Sequence, residues 1–149
     1  MDLFDEFSAL TRALEAAQVD YAVVGGLAVA IWGVPRATQD IDLLVPRDAL
    51  EGAVAVGRAR GFSIEALPMT FHDGTEIRRL SKPGAGELLT LDLLLVTANL
   101  EPAWSSRQRL PVDGGEIWVV GREALIRMKA AAGRPQDLAD AQRLAELDR

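Results

Sequence analysis

The sequence predicts one α/β (α+β) domain with a short helical C-terminal end, and three observations carry that expectation. Tyr21-Ala-Val-Val24 is a β run closed by Gly25-Gly26 and followed by a short helical stretch. Asp40-Ile-Asp-Leu-Leu-Val45 alternates acids with large aliphatics at its start, as a strand with two unlike faces does. Residues 122–132 and 137–147 carry apolar side chains at three- and four-residue spacing, which reads as two closing helices. The 149 residues are expected to form a single domain, with a core over about 19–120 and a helical hairpin over about 122–147.

Taken in order, Leu3, Phe7, Leu10 and Leu14 place an amphipathic helix over about residues 3–17. Tyr21 to Val24 is the first strand, and Leu27 to Trp32 fits a helix of two turns at most. Gly33 and Pro35 make a loop up to Gln39, and the second strand runs from Asp40 to Val45. Another helix opens at Pro46 or Arg47 and ends near Arg60, with Gly61 as its stop. Residues 62–66 suggest a strand. Glu76 to Ser81 and Glu87 to Val96, joined by Lys82-Pro-Gly-Ala-Gly86, read as a β-hairpin. Residues 99–106 fit neither pattern. A smaller hairpin, Leu110 to Val112 and Ile117 to Val120, turns at Asp113-Gly-Gly115, and the closing helices hinge at Gly133-Arg-Pro135.

Composition removes several classes of function. The absence of cysteine excludes disulfides, zinc–thiolate sites and thiol nucleophiles together. A net charge of −6 argues against a general nucleic-acid coat, which needs a basic footprint. Met1 to Phe7 is acidic and lacks the order of a signal peptide. The apolar run Leu88 to Val96 is broken by Thr90 and Asp92 and is too short to cross a bilayer. A cytoplasmic protein without membrane contact is expected.

Chemistry concentrates at a few positions. Asp40 and Asp42 share one strand face, their Cα atoms about 6.6 Å apart by strand rise. Two such acids repel and desolvate each other unless something positive sits between them, and a divalent metal is the simplest candidate. Asp92 is a single acid in a nearly continuous apolar run, the pattern of a strand buried on both faces. If that strand lies beside Asp40–Asp42, three carboxylates converge and suit magnesium; the other reading puts Asp92 at a frayed edge in solvent. Gly25-Gly26 either lets backbone N–H groups approach a triphosphate or makes a tight turn with no ligand.

Lys129 falls in the middle of the apolar arc formed by Leu125, Ile126, Met128 and Ala132. On the next helix Asp137 and Asp140 lie within or beside the arc of Leu138, Ala141, Leu144 and Leu147. Either Lys129 pairs with Asp140 while Asp137 caps the helix, or Lys129 reaches a cleft and meets phosphate. His72, the sole histidine, reads as a solvated loop residue, and Trp32, Trp104 and Trp118 as core or edge packing.

Gly25-Gly26, the spacing to Asp40-Ile-Asp42, and the later Asp92 strand resemble the DNA polymerase β-like nucleotidyltransferase superfamily. Arg36-Ala-Thr-Gln-Asp-Ile-Asp-Leu-Leu-Val looks like its small bacterial and archaeal members. Lys129-x-x-Ala-Gly-Arg-Pro-Gln-Asp137-x-x-Asp140 is similar to the C-terminal motif of AbiE-type toxin nucleotidyltransferases. The resemblance implies a mixed β-sheet flanked by helices and transfer of NMP from an NTP to a hydroxyl on RNA, a protein or a small molecule. It implies two Mg2+ ions, with Mn2+ as substitute, on Asp40 and Asp42, and Asp92 holding the catalytic metal and activating the hydroxyl. Gly25, Gly26, Arg36, Thr38, Lys129 and Asp137 would then bind the nucleotide, Lys129 by neutralising phosphate. Implied partners are the NTP, an acceptor such as tRNA or a partner protein, and a cognate antitoxin or toxin. The alternative is a nucleotide-binding or toxin–antitoxin interaction module of the same fold without turnover, and a third reading is a phosphohydrolase using water as acceptor.

Overall fold

The computed structural model describes residues 1–147. Asp2 accepts a hydrogen bond from the Asp5 N–H at 3.0 Å and so caps α1 (Leu3–Ala16), whose buried stripe is Phe7, Leu10, Thr11 and Leu14. β1 (Ala22–Val24) runs directly into α2 (Gly25–Ile31), so the glycine pair forms the first turn of the helix rather than a linker before Leu27. β2 (Asp40–Val45) has the predicted limits. A 3-10 turn over Arg47–Ala49 precedes α3 (Leu50–Ala59), splitting what the sequence suggests as one helix.

β3 (Ile64–Glu65) is shorter than expected, and β4 (Met69–Thr70) carries no sequence signal at two residues. β5 (Glu76–Gly84) and β6 (Glu87–Leu95) form the long hairpin. The ladder continues through Pro83, which pairs with Leu88, so the turn is Ala85-Gly86 alone, both at positive φ. Positive φ at both central residues is the two-residue turn that matches strand twist. The ambiguous 99–106 segment resolves into a 3-10 turn, Ala98–Leu100, and α4 (Glu101–Ser105). β7 (Gln108–Val112) and β8 (Gly115–Val119) form the small hairpin.

α5 (Arg122–Ala132) ends at Gly133, whose φ of 73° is the left-handed conformation of a helix stop. α6 (Pro135–Ala145) starts two residues before Asp137, with Pro135 in its first turn and Arg134 at the cap position.

All eight strands join one sheet in the order β3-β5-β6-β2-β1-β8-β7, with β4 also on β5. The sheet is mixed: β2 pairs parallel with β6 and antiparallel with β1, and β1 pairs parallel with β8. β6 therefore lies beside β2, and its apolar run is explained by a central position. Ile41, Leu43, Leu91, Leu93 and Leu80 are buried on one face, where Gly57 of α3 approaches Leu91 and Leu80 closely. The opposite face of the same strands carries Asp40, Asp42 and Asp92. The tryptophans pack against the core as read, and His72 lies exposed in a turn. Among the described residues no helix is long and apolar enough to cross a membrane.

Candidate active site

The register of two strands brings the acids together. Asp42 is the neighbour of Asp92 across β2 and β6, and of Val24 across β1 and β2. Parallel register neighbours point the same way, so Asp42 and Asp92 stand side by side, with Asp40 one pleat along β2. Asp92 is 7% exposed, which removes the frayed-edge alternative.

Burial pushes the Asp42 carboxyl up to about 7, with the charges of Asp92 and Asp40 adding to the effect and Lys129 and Arg79 opposing it. No hydrogen bond or ion pair among the described residues engages the Asp40 or Asp42 carboxylate. Their oxygens are hard donors short of positive charge, which is the donor chemistry a divalent cation requires.

Asp92 is different. Arg79, its register neighbour on β5, donates from Nε to Oδ1 at 2.8 Å and from an η nitrogen to Oδ2 at 3.0 Å. The fork engages both carboxylate oxygens, and among the described residues no three acids are gathered tightly enough to grip one ion as they stand. Arg79 was not among the sequence candidates. Its signal was the turn: placing it at Ala85-Gly86 fixes Arg79 opposite Asp92, whereas a five-residue loop leaves the register open.

The glycine pair meets the acids at close quarters. A Cβ on Gly25 would overlap Asp42 Oδ2 and lie 3.0 Å from Asp42 Cβ, and Gly25 has a φ of 69°. A Cβ on Gly26 would lie 2.9 Å from Thr38 Oγ1. Each glycine is thus required by a neighbouring side chain. Thr38 Oγ1 in turn lies 3.5 Å from the carbonyl of Asp40, joining the loop to the start of β2.

Close enough for its field to reach Asp42, a second charge cluster lies on α5 and α6. Lys129 Nζ lies 3.3 Å from Asp137 Oδ1 and 3.2 Å from Asp140 Oδ2, all three side chains being buried. Arg134 Nε donates to Asp137 at 2.7 Å, Arg36 Nε to Asp140 at 3.1 Å, and the Gln136 amide to Asp140 at 2.9 Å. Burial alone would raise both carboxyls. Hydrogen bonds from Arg134 and Lys129 hold Asp137 below its ordinary value, and those from Gln136, Arg36 and Lys129 do the same for Asp140.

Two expectations change here. Asp137 is not the helix cap; it sits inside the first turn of α6 and faces Lys129 and Arg134. Leu138, assigned to the apolar arc, is 50% exposed because the two aspartates occupy the inward face. Lys129 satisfies the ion-pair reading directly and acts on Asp42 only through its field. Arg36 likewise points to Asp140 and to the Ala37 carbonyl.

Two clefts, of about 690 and 590 Å3, lie elsewhere: one around Trp32, Arg122 and Arg127, the other between α1 and the β7–β8 turn. Neither is lined by the acids.

Comparison with known proteins supplies the fold. No protein-family model and no curated protein matches the chain. Among solved structures, a Thermotoga maritima protein proposed to be a nucleotidyltransferase superposes with a TM-score of 0.65 at 15% identity, over 95% of this chain and 91% of that one. The lincosamide antibiotic adenylyltransferase LnuA, bound to lincomycin, superposes with a TM-score of 0.67 at 13% identity over 97% of both chains. ANT(2″)-Ia, in complex with adenylyl-2″-tobramycin, gives 0.62 at 19% identity, over 93% of this chain and 84% of that one. The chain has the fold of these nucleotidyltransferases.

Proposed function

We propose that the chain transfers a nucleoside monophosphate from an NTP to a hydroxyl acceptor, with magnesium or manganese held by Asp40 and Asp42 and completed by Asp92. The observation that carries this reading is the Asp42–Asp92 register pair beside Asp40, with the Asp42 carboxyl pushed up to about 7 by burial and by the two neighbouring acids. When bound, such ions would neutralise the charge that develops on the attacking and leaving oxygens of an in-line displacement.

The chain's own residues supply the rest. The acceptor oxygen bonds to the α-phosphorus, the bond to the β-phosphate breaks, and pyrophosphate leaves with the electron pair. Asp92 takes the hydroxyl proton in this reading. Gly25 and Gly26 let Asp42 and Thr38 pack directly on the α2 turn, which keeps Asp42 against that turn. Lys129, held by Asp137 and Asp140, neutralises charge through its field, and Arg36 fixes the loop that leads to Asp40. Positioning and charge neutralisation are most of what phosphoryl transfer asks of a protein.

The acceptor class favoured is a small hydroxyl-bearing molecule. The net charge of −6 and the acidic face disfavour a polyanion such as tRNA. The near-complete mutual coverage with an antibiotic adenylyltransferase points the same way. The test is incubation with each α-labelled NTP, magnesium and panels of hydroxylated small molecules and tRNA. Labelled adduct plus pyrophosphate is expected from the natural sequence and none from Asp42→Asn. Free NMP alone would indicate a hydrolase, and label transfer retained in Asp42→Asn would sink the assignment.

A further inference from the structure

Arg79 stands against the acids with no part in the transfer step itself. Its guanidinium forks onto both oxygens of Asp92 at 2.8 and 3.0 Å, while its side chain is 46% exposed. Asp92 is nearly buried, so it has no ready solvent to turn to when that fork opens. The other cations near the acids are committed: Lys129 to Asp137 and Asp140, Arg134 to Asp137.

We infer that Arg79 is a positioning residue that holds Asp92 as an internal counter-ion and releases it only when metal and triphosphate arrive together. The inference rests on the metal–nucleotide reading of the site. A dication arriving alone competes with a bidentate guanidinium for the same carboxylate and then leaves that guanidinium unpaired beside another positive charge. A triphosphate arriving with it offers new anionic oxygens, and the planar fork of arginine suits phosphate as well as carboxylate. Arg79 sits on β5 between β6 and β3, its backbone held on both sides while its side chain is partly exposed, so a rotation of the side chain suffices for the exchange. The consequence is thermodynamic coupling: each ligand tightens the other, by one and the same factor.

The experiment measures Mn2+ binding to the metal-free full chain, with and without the α,β-methylene analogues of ATP and GTP. It compares the natural sequence with Arg79→Gln and Arg79→Lys, each checked for folding by circular dichroism. In the natural protein the analogue is expected to tighten Mn2+ binding by roughly 10-fold or more, within the usual range of such couplings. Arg79→Gln is expected to bind Mn2+ alone about 5-fold tighter or better, with most of the coupling gone, and Arg79→Lys to fall between. A residue that merely supported the sheet would not raise metal affinity on removal. Arg79→Gln binding Mn2+ alone no tighter than the natural protein overturns the inference. Failure of the natural protein to bind Mn2+ even with either analogue overturns instead the proposed function on which it stands.

Discussion

Around Asp140, two carboxylates share Lys129, Arg36, Arg134 and the amide of Gln136; around Asp42, the one cation among the described residues paired with any of the three carboxylates is Arg79, and its fork is spent on Asp92. Both clusters are wholly or partly buried and both were visible in sequence as acids at unexpected places. Their carboxyls nevertheless move in opposite directions, Asp137 and Asp140 below the ordinary value and Asp42 up to about 7. A saturated cluster has no use for a further ligand. It works as a fastener, tying α6 through Arg36 to the loop that feeds β2, across 104 positions of sequence. The unsaturated cluster is costly as it stands and becomes favourable when something cationic joins it.

The largest effect that separates the two is on turnover. Asp42→Asn is expected to lower label transfer by about 10³-fold or more, as loss of a charge-stabilising group does, without lowering the melting temperature at pH 7. A transfer rate within tenfold of the natural one would erase the distinction between the clusters. Next comes stability. Asp140→Ala leaves Lys129 and Arg36 facing a gap, and removing one partner of a buried ionic set costs about 3–5 kcal/mol. Urea unfolding should show this as a lower midpoint at unchanged slope; a loss under ~1 kcal/mol would show that the cluster is not a fastener.

The pH response sharpens the contrast further, because the signs are opposed. Asp42 in the fold holds its proton up to about 7, whereas the unfolded chain releases it near the ordinary value of 3.8. Between those limits the folded state binds more protons, so stability falls as pH rises through the window. Asp137 and Asp140, with lowered folded values, contribute stability at neutral pH that is lost as pH falls below the ordinary carboxylate range. Thermal melts of metal-free protein should therefore decline from about pH 4 to pH 7, and Asp42→Asn should flatten that slope. Each 1 kcal/mol would read as roughly 2–4 °C in a chain of this size. A slope unchanged in Asp42→Asn would show that the carboxyl is not perturbed.

The smallest effect is expected at the glycine. Gly25→Ala places a Cβ against Asp42 at a φ of 69°, for a loss of about 1–2 kcal/mol in a melt and a displaced carboxylate in transfer assays. Full activity in that variant would mean that the α2 turn does not position Asp42.

The parts of this picture legible in sequence are those set by local pattern. Asp40-Ile-Asp42 declared its alternation, and the apolar residues around Asp92 declared a central strand, so the register pairing of Asp42 with Asp92 followed once β6 lay beside β2. The placement of Lys129 on a buried face was also readable from helical periodicity. What could not be read depends on pairings that no local pattern encodes. Arg36 meets Asp140 only because the whole domain brings them together. Arg79 meets Asp92 only because the hairpin closes in two residues rather than five, a choice made by Ala85 accepting a left-handed conformation. β4 escaped because two residues hold too little pattern to stand out.

The contact between Gly25 and Asp42 has a consequence for how this chain can change over generations. The glycine is demanded by the acid's side chain before any ligand is considered, so the two positions constrain each other's permitted residues. A descendant that discarded the acid would relieve the overlap with its carboxylate oxygen, leaving the 3.0 Å approach to Cβ and the backbone angle to restrict the glycine. A descendant that replaced the glycine first would lose the acid's geometry at once. Drift toward an inactive form therefore has a preferred order, with the carboxylate lost before the glycine.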